Sequence, residues 1–317
     1  MSDGAKEETP MQRANPAPHT LRADEIEQIT GLRIENAGGL KAISGLSTLD
    51  VVGEQCLVFR DRFSEGDIAA IQAFEGRSSL FALPEEYRGR VRVPALFLER
   101  PREAFIPLVV ALYDYFGSYW TGYEEGRDAQ GRRPGTTLMP GCFIHPSAEI
   151  GAGTMIFPGA VVGPRVSIGR NGLVKSNAVI GLPGFGIHVD GRRRNLHLPH
   201  VGGVTIGDDV EIGAMTTVCA GTVHPTLVED NVKTDDHVHI AHNVRIGRSA
   251  QITAHAEISG SAVIEDYSFL APNCSIANGA VIGSGSIVGI GSAVLKDVPA
   301  GKLAAGNPSR VIRDLSD

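Results

Sequence analysis

Aromatic side chains are scarce, at 6% of the chain with a single tryptophan. There is no excess of positive charge either: the formal net charge is -7 and the pI about 5.8, which argues against a general binder of nucleic acid or anionic membrane. No run of 18 apolar residues occurs, so no membrane-spanning helix is expected. The N-terminus, MSDGAKEETPMQRANPAP, lacks the apolar stretch of a secretion signal and reads as a disordered tail over residues 1–19. The four cysteines (Cys56, Cys142, Cys219, Cys274) form no CxxC pair, which fits a reducing cytoplasm without disulfides. What is present is a chain of 317 residues, 42% hydrophobic and 21% charged, enough for about two domains with real cores. It carries 39 glycines, which with so few aromatics points to a repetitive fold with many tight turns.

The repeat is easily found. An aliphatic residue recurs every six positions at Ile144, Ile150, Ile156, Val162, Ile168, Val174 and Ile180. The beat resumes at Ile206, Ile212 and Val218, and then runs from Val228 to Val294 with Thr234 the one non-aliphatic position. Glycine often follows directly, as at Gly151, Gly163, Gly213 and Gly247, and small or β-branched residues sit four past the beat, as at Ala148, Val166, Val232 and Ala256. A period of six is neither that of a helix nor the alternation of a plain strand. It fits a hexapeptide β-helix, in which six residues make one side of a prism and 18 residues one coil. Glycine or small polar residues are expected to turn its corners, and such prisms are left-handed. The fold class is therefore mainly β, a left-handed parallel β-helix over residues 141–298, closed by residues 299–317. Two stretches break the beat: 181–205, rich in glycine, arginine and histidine, and 219–227. Loops thrown out from a rigid solenoid are where binding groups tend to sit.

Residues 20–118 have another texture. LRADEIEQIT reads as a short helix; QCLVF, SSLFAL and ALFLE read as strands. Ser64 and Asp67 are spaced as a capping box opening the helix SEGDIAAIQAFEG, and PREAFIPLVVALYDYFG reads as a helix ended by Gly117. This is a small α/β domain, followed by a polar linker over 119–140.

The chain resembles the hexapeptide acyltransferases, and within them the UDP-3-O-acylglucosamine N-acyltransferases of lipid A biosynthesis. The residues that carry the resemblance are Gly184-Phe185-Gly186 followed by GGVTIGDDVEIGAMTTV, and KTDDHVHIAHNVRIG at 233–247. The N-terminal pattern of SGLSTLDVVGEQCLVF, a helix, then VPALFLERPREAF is similar to that family's nucleotide-sugar-binding domain. The resemblance implies a cytoplasmic homotrimer with sites in clefts between subunits. It implies transfer of an acyl group from a pantetheine thioester, on coenzyme A or an acyl carrier protein, to the amine of a nucleotide-linked amino sugar, without a metal. His242 falls on the catalytic histidine, Asp235 on the carboxylate that assists it, and Gly260 on the glycine whose N–H faces the oxyanion. The chemistry agrees: an amine attacking a thioester needs a base that titrates near neutrality and a donor where negative charge develops. Gly260 lies one full coil after His242, so a regular prism stacks the two. Phe59 and Phe63 are expected to stack on the nucleotide base, and Phe185, Gly186, His239 and Asn243 to line the sugar site. Asn278, Lys296, Asn307 and Arg310 are expected to meet the acyl carrier.

The chain also departs from the lipid A enzyme. TTVCAG (216–221) stands where that family has an Asp-Arg pair, Gly279 near its second histidine, and Arg192-Arg193-Arg194 where it has a tryptophan. The long C-terminal helix is missing, and AAGNPSRVIRDL resembles the end of sugar acetyltransferases that use acetyl-CoA. These departures favour a short acyl-CoA as donor. Two rivals remain. His237, His239 and His242 form H-x-H-x-x-H, which raises a metal-dependent lyase of the γ-carbonic-anhydrase kind; the other is a catalytically silent prism.

Overall fold

The computed structural model describes residues 15–315, with 52, 61 and 62 excepted. The chain divides into two compact units: one takes the chain up to Tyr119 together with Gly186–Pro199, the other Trp120–Phe185 and His200–Asp317. Among the described residues no helix is long and apolar enough to cross a membrane.

The first unit is a five-stranded sheet in the order β1 (Asn15–Arg22), β2 (Ala42–Thr48), β3 (Cys56–Phe59), β4 (Leu80–Pro84), β5 (Ala95–Leu98). β1 runs antiparallel to β2, and the rest are parallel. Parallel strands are covered on both faces, which is why CLVF, LFAL and ALFL are continuous apolar runs. Helices α1 (Ala23–Thr30), α2 (Asp67–Gln72) and α3 (Arg102–Tyr113) complete the unit. Three expectations need correction. Residues 15–19 of the supposed tail belong to β1, since the edge of β2 offers their backbone a partner; residues 1–14 lie outside the described residues. The capping box is half made: the Asp67 carboxylate accepts from the Ser64 N–H at 2.7 Å and hydroxyl at 3.0 Å, so that hydroxyl donates instead of capping the helix. α3 ends before Gly117, at Asp114, which takes the left-handed conformation and accepts from the Ser118 N–H.

The second unit is a left-handed parallel β-helix with three faces. Thr234, Ile240 and Ile246 lie on the first, second and third face in turn, and each strand pairs with the one 18 residues on, as Ile240 with Ile258. The two breaks loop out and the register recovers, Ile168 pairing with Ile206 and Ile206 with Val228. Every beat residue is buried, the aliphatic ones in one core, except Ile150, which is partly buried. The small residues four past each beat are buried as well, so two of every six positions point inward.

Corner duty differs from the expectation. Except for Gly181, where the first break begins, the glycines directly after the beat have ordinary φ; they are needed for close approach, since a β-carbon on Gly213 would lie 2.0 Å from the Asp235 carbonyl oxygen. The left-handed residue stands three past the beat and is often not glycine, as at Asn177, His237, Asn243 and His255. The supposed linker also contains structure. Thr137–Leu138 pairs with Met155–Ile156 as a rung, and Leu138, six before Ile144, is buried. Beneath it Arg133 is buried and donates to the carbonyls of His145 and Ala148. At the far end Lys302–Gly306 pairs with Ile287–Val288 and folds back against Ser309–Asp314.

Candidate active site

Both interruptions of the beat converge at one corner of the prism. Val201 N–H donates to the Thr222 carbonyl, Gly202 N–H to that of Gly221, and Gly221 N–H to that of Gly203. Thr222 and Thr226 of the shorter loop then hold Asn243, the former by its N–H to Oδ1 at 2.8 Å and the latter by accepting the Asn243 N–H at 3.0 Å. His242 stands beside them, two residues past Ile240, at the corner between the second and third faces.

The imidazole of His242 is closely framed. A β-carbon on Gly184 would lie 3.0 Å from its Cδ2, and one on Gly260 would lie 2.7 Å from Cε1 and 2.9 Å from Nε2. Asn243 Nδ2 faces Nδ1 at 3.2 Å. The fully buried ring of His200 lies at 5.0 Å between centroids, tilted by 60°. Burial pushes His242 below its ordinary value, and the nearby His239 adds to the push, so the ring is neutral near pH 7.

Gly260 stacks on His242 as the 18-residue period requires, with Ser261 N–H bonded to the His242 carbonyl. Among the described residues nothing accepts from the Gly260 N–H. One coil further Asn278 Nδ2 donates to the Gly260 carbonyl at 2.5 Å, so its amide holds the glycine and does not reach outward to a carrier. His239 shares a 2.7 Å hydrogen bond with Thr217 through Nδ1.

Asp235 is not part of this group. It follows Thr234, at the corner between the first and second faces, and accepts from its neighbour Asp236 N–H at 2.8 Å. Within one chain the side chain that meets His242 Nδ1 is Asn243. His237 lies at that other corner too, stacked on His255 at 4.8 Å, so the H-x-H-x-x-H run does not converge. Among the described residues no three metal-binding side chains come together.

The remaining positions scatter. In the first unit Phe59 packs at 4.5 Å on Phe105 and Phe63 edge-on at 5.8 Å to Tyr87, both half-buried, leaving each one partial face. Phe185 is 89% exposed, and the Gly186 carbonyl accepts from Leu198 N–H where the hairpin Ile187–Val189 and Asn195–His197 begins. At the tip of that hairpin Asp190 accepts from Arg192 N, Arg194 N and Arg194 Nε, leaving Arg192 and Arg193 exposed. Lys296 and Arg310 line one pocket at the end of the prism with Leu295, Val298, Pro308 and Val311; Asn307 lies on the adjoining turn, exposed. The reading from sequence missed His200, whose only signal was a place inside a break near the matching block.

The comparisons bear on the fold and the family. Residues 147–182 match the model of the bacterial transferase hexapeptide, six repeats. Among solved structures, a UDP-N-acetylglucosamine acyltransferase of Francisella novicida superposes with a TM-score of 0.53 at 23% identity, over 57% of this chain and 65% of that one. The Acinetobacter baumannii protein LpxA does so at 0.51 and 26%, over 57% and 70%. The class is thus the hexapeptide-repeat transferases. A UDP-3-O-acylglucosamine N-acyltransferase of Azorhizobium caulinodans is 32% identical over 265 residues, 70% of this chain and 69% of that enzyme. One of Coxiella burnetii is 45% identical, but over 56 residues, 18% of this chain and 16% of that enzyme's length. The chain belongs to the family of the UDP-3-O-acylglucosamine N-acyltransferases.

Proposed function

We propose that this chain is an N-acyltransferase that moves an acyl group from a pantetheine thioester to the amine of a nucleotide-linked amino sugar. The observation that carries the reading is the His242–Gly260 stack: an imidazole held neutral by burial, close against a glycine whose N–H meets no acceptor among the described residues. His242 takes the amine proton as the C–N bond forms, and the Gly260 N–H donates to the oxygen of the tetrahedral intermediate. The thiolate then leaves and accepts the proton from His242. No metal is called for. Phe59 or Phe63 would offer the nucleotide base a stacking face, and Phe185, Gly186 and His239 would line the sugar.

The active assembly is a homotrimer in the cytoplasm, where nucleotide sugars and acyl thioesters are found. Asp235, on a different corner from His242, would assist only from a second copy. The pairing of Lys296 and Arg310 in one pocket favours the phosphates of coenzyme A, and so a short acyl-CoA donor. A second reading is a UDP-3-O-acylglucosamine N-acyltransferase of lipid A taking a hydroxyacyl group from acyl carrier protein; its acceptor, though not its donor, is the one the Azorhizobium relative points to.

Thiol release is the test. Acetyl-CoA, longer acyl-CoA and hydroxyacyl-carrier-protein donors are run against UDP-, dTDP- and GDP-linked amino sugars, with wild type beside His242→Ala. Turnover with one acceptor, lost in the variant, supports the reading and identifies the donor. Silence with every pair would overturn it.

A further inference from the structure

The base role makes a demand on one nitrogen. To take a proton at Nε2, the atom beside Gly260, His242 must hold a lone pair there and carry its own hydrogen on Nδ1. The hydrogen bonds of the chain put that hydrogen at the other end. The Thr222 N–H can only donate, and it meets Asn243 Oδ1 at 2.8 Å, with the Thr222 hydroxyl at 3.2 Å from the same oxygen. This settles which end of the Asn243 amide is oxygen, a choice that is otherwise ambiguous. The Nδ2 group is thereby turned onto His242 Nδ1 at 3.2 Å. An amide NH2 donates and does not accept, so Nδ1 is the acceptor and the neutral ring carries its hydrogen on Nε2. Asn243 has little freedom: its backbone is left-handed with φ 60°, and its N–H is held by Thr226. Both ends of its amide are occupied within the chain, so it is not free to line the sugar site as the sequence suggested.

We infer that Asn243, anchored by Thr222, is a positioning residue that holds neutral His242 as its Nε2–H tautomer in the free chain, and that the base form is reached when the Asn243 amide turns over. After that turn Oδ1 accepts Nδ1–H, and Nε2 gains the lone pair. No proton is gained or lost; one moves from Nε2 to Nδ1. The turn gives up both Thr222 contacts and sets the amide NH2 against the Thr222 N–H, so the base form is the minor one before substrate binds. On reaction Nε2 takes the amine proton, and the resulting imidazolium keeps its Nδ1–H on Oδ1. The titratable groups that face the ring are His200, in ring contact, and His239, whose charge opposes that of His242; Gly184 and Gly260 carry none. The use made of the ring rests on the acyl-transfer reading, whereas the tautomer itself does not.

The experiment is long-range 1H–15N spectroscopy on the full chain labelled with 15N-histidine, without substrate, the His242 signals being identified by their loss in His242→Ala. Above its titration point wild type is expected to show a protonated Nε2 and a bare Nδ1. Asn243→Asp offers one oxygen to Thr222 and the other to Nδ1–H, so the tautomer should reverse and the titration move up by about one pH unit or more. Asn243→Ala should leave a mixture of tautomers, and it serves if the aspartate variant does not fold. Wild type already protonated on Nδ1, or both variants with the wild-type tautomer, would overturn the inference. In turnover, Asn243→Asp should shift the acid limb of kcat to higher pH, whereas a purely structural loss would lower kcat equally at every pH. A wild type that turns nothing over would refute the acyl-transfer reading and leave the tautomer result standing.

Discussion

Gly260 lies one coil from His242 and so near it that a β-carbon would stand 2.9 Å from Nε2. The pair is a ring and a glycine held close together by the register of two adjacent strands, Ile240 facing Ile258. Such rigidity is what a reacting carbonyl requires, since a small misplacement of either group is felt in rate.

Gly260→Ala keeps the N–H but drives a methyl group into the ring. The expected result is a loss of roughly 100-fold in kcat, in a protein that still gives a cooperative melting curve. Thiol release and a melting curve on the same sample check this; activity near wild type would show that the ring does not work from this position.

The pH dependence of the rate follows from the lowered value of His242. Burial disfavours its charged form, so the neutral ring persists below the ordinary 6.5 of a histidine. The rate should rise with pH and level off, its half-maximum falling below 6.5. A half-maximum above neutrality, measured from kcat across pH 5 to 8, would assign the limb to another group.

Stability should fall on the same side. His145, His188, His197 and His242 are all pushed down, burial being the largest cause in each. Their folded values lie below the unfolded ones, so the stabilisation is whole above about 6.5 and is lost as pH falls and the unfolded chain binds more protons. Asp114, Asp190 and Asp208 are held low by their hydrogen-bond donors and fail only in stronger acid. Melting temperature measured from pH 7.5 to 5 should therefore drop before the carboxylates titrate.

Arg133→Ala should open the N-terminal end of the prism. It would leave the Ala148 carbonyl without its donor and the His145 carbonyl with only the Ala148 N–H, at a cost of about 2 kcal/mol in urea unfolding. An unchanged midpoint would mean that water replaces the guanidinium freely.

Replacing Lys296 and Arg310 together by alanine should raise KM for a coenzyme A thioester roughly tenfold, the effect of losing about 1.4 kcal/mol of binding, with kcat held. If KM is unmoved, the pocket they line is not where the donor's phosphates rest.

Much was legible from sequence because a solenoid repeats its demands. Each aliphatic beat fills the same prism, so the period of six alone defines three faces, an 18-residue coil and the stacking of Gly260 on His242. The N-terminal strands were legible for a related reason, as parallel strands buried on both faces must be apolar throughout. β1 escaped because its residues are largely polar or proline, and the rung at Leu138 because it stands alone before the run of beats, in a stretch of glycine and arginine.

The identity and spacing of the beat residues, read along the chain, thus determined the prism and the column holding His242, Gly260, Asn278 and Lys296. Only the tertiary structure decided what surrounds that column. Two loops of irregular sequence fold against each other by backbone hydrogen bonds, which no residue pattern encodes, and bring His200 and Gly184 to the imidazole and Thr222 to Asn243 beside it. It also separated Asp235 from His242: seven residues carry the chain past a corner of a three-sided prism, and closeness in sequence becomes distance across a face.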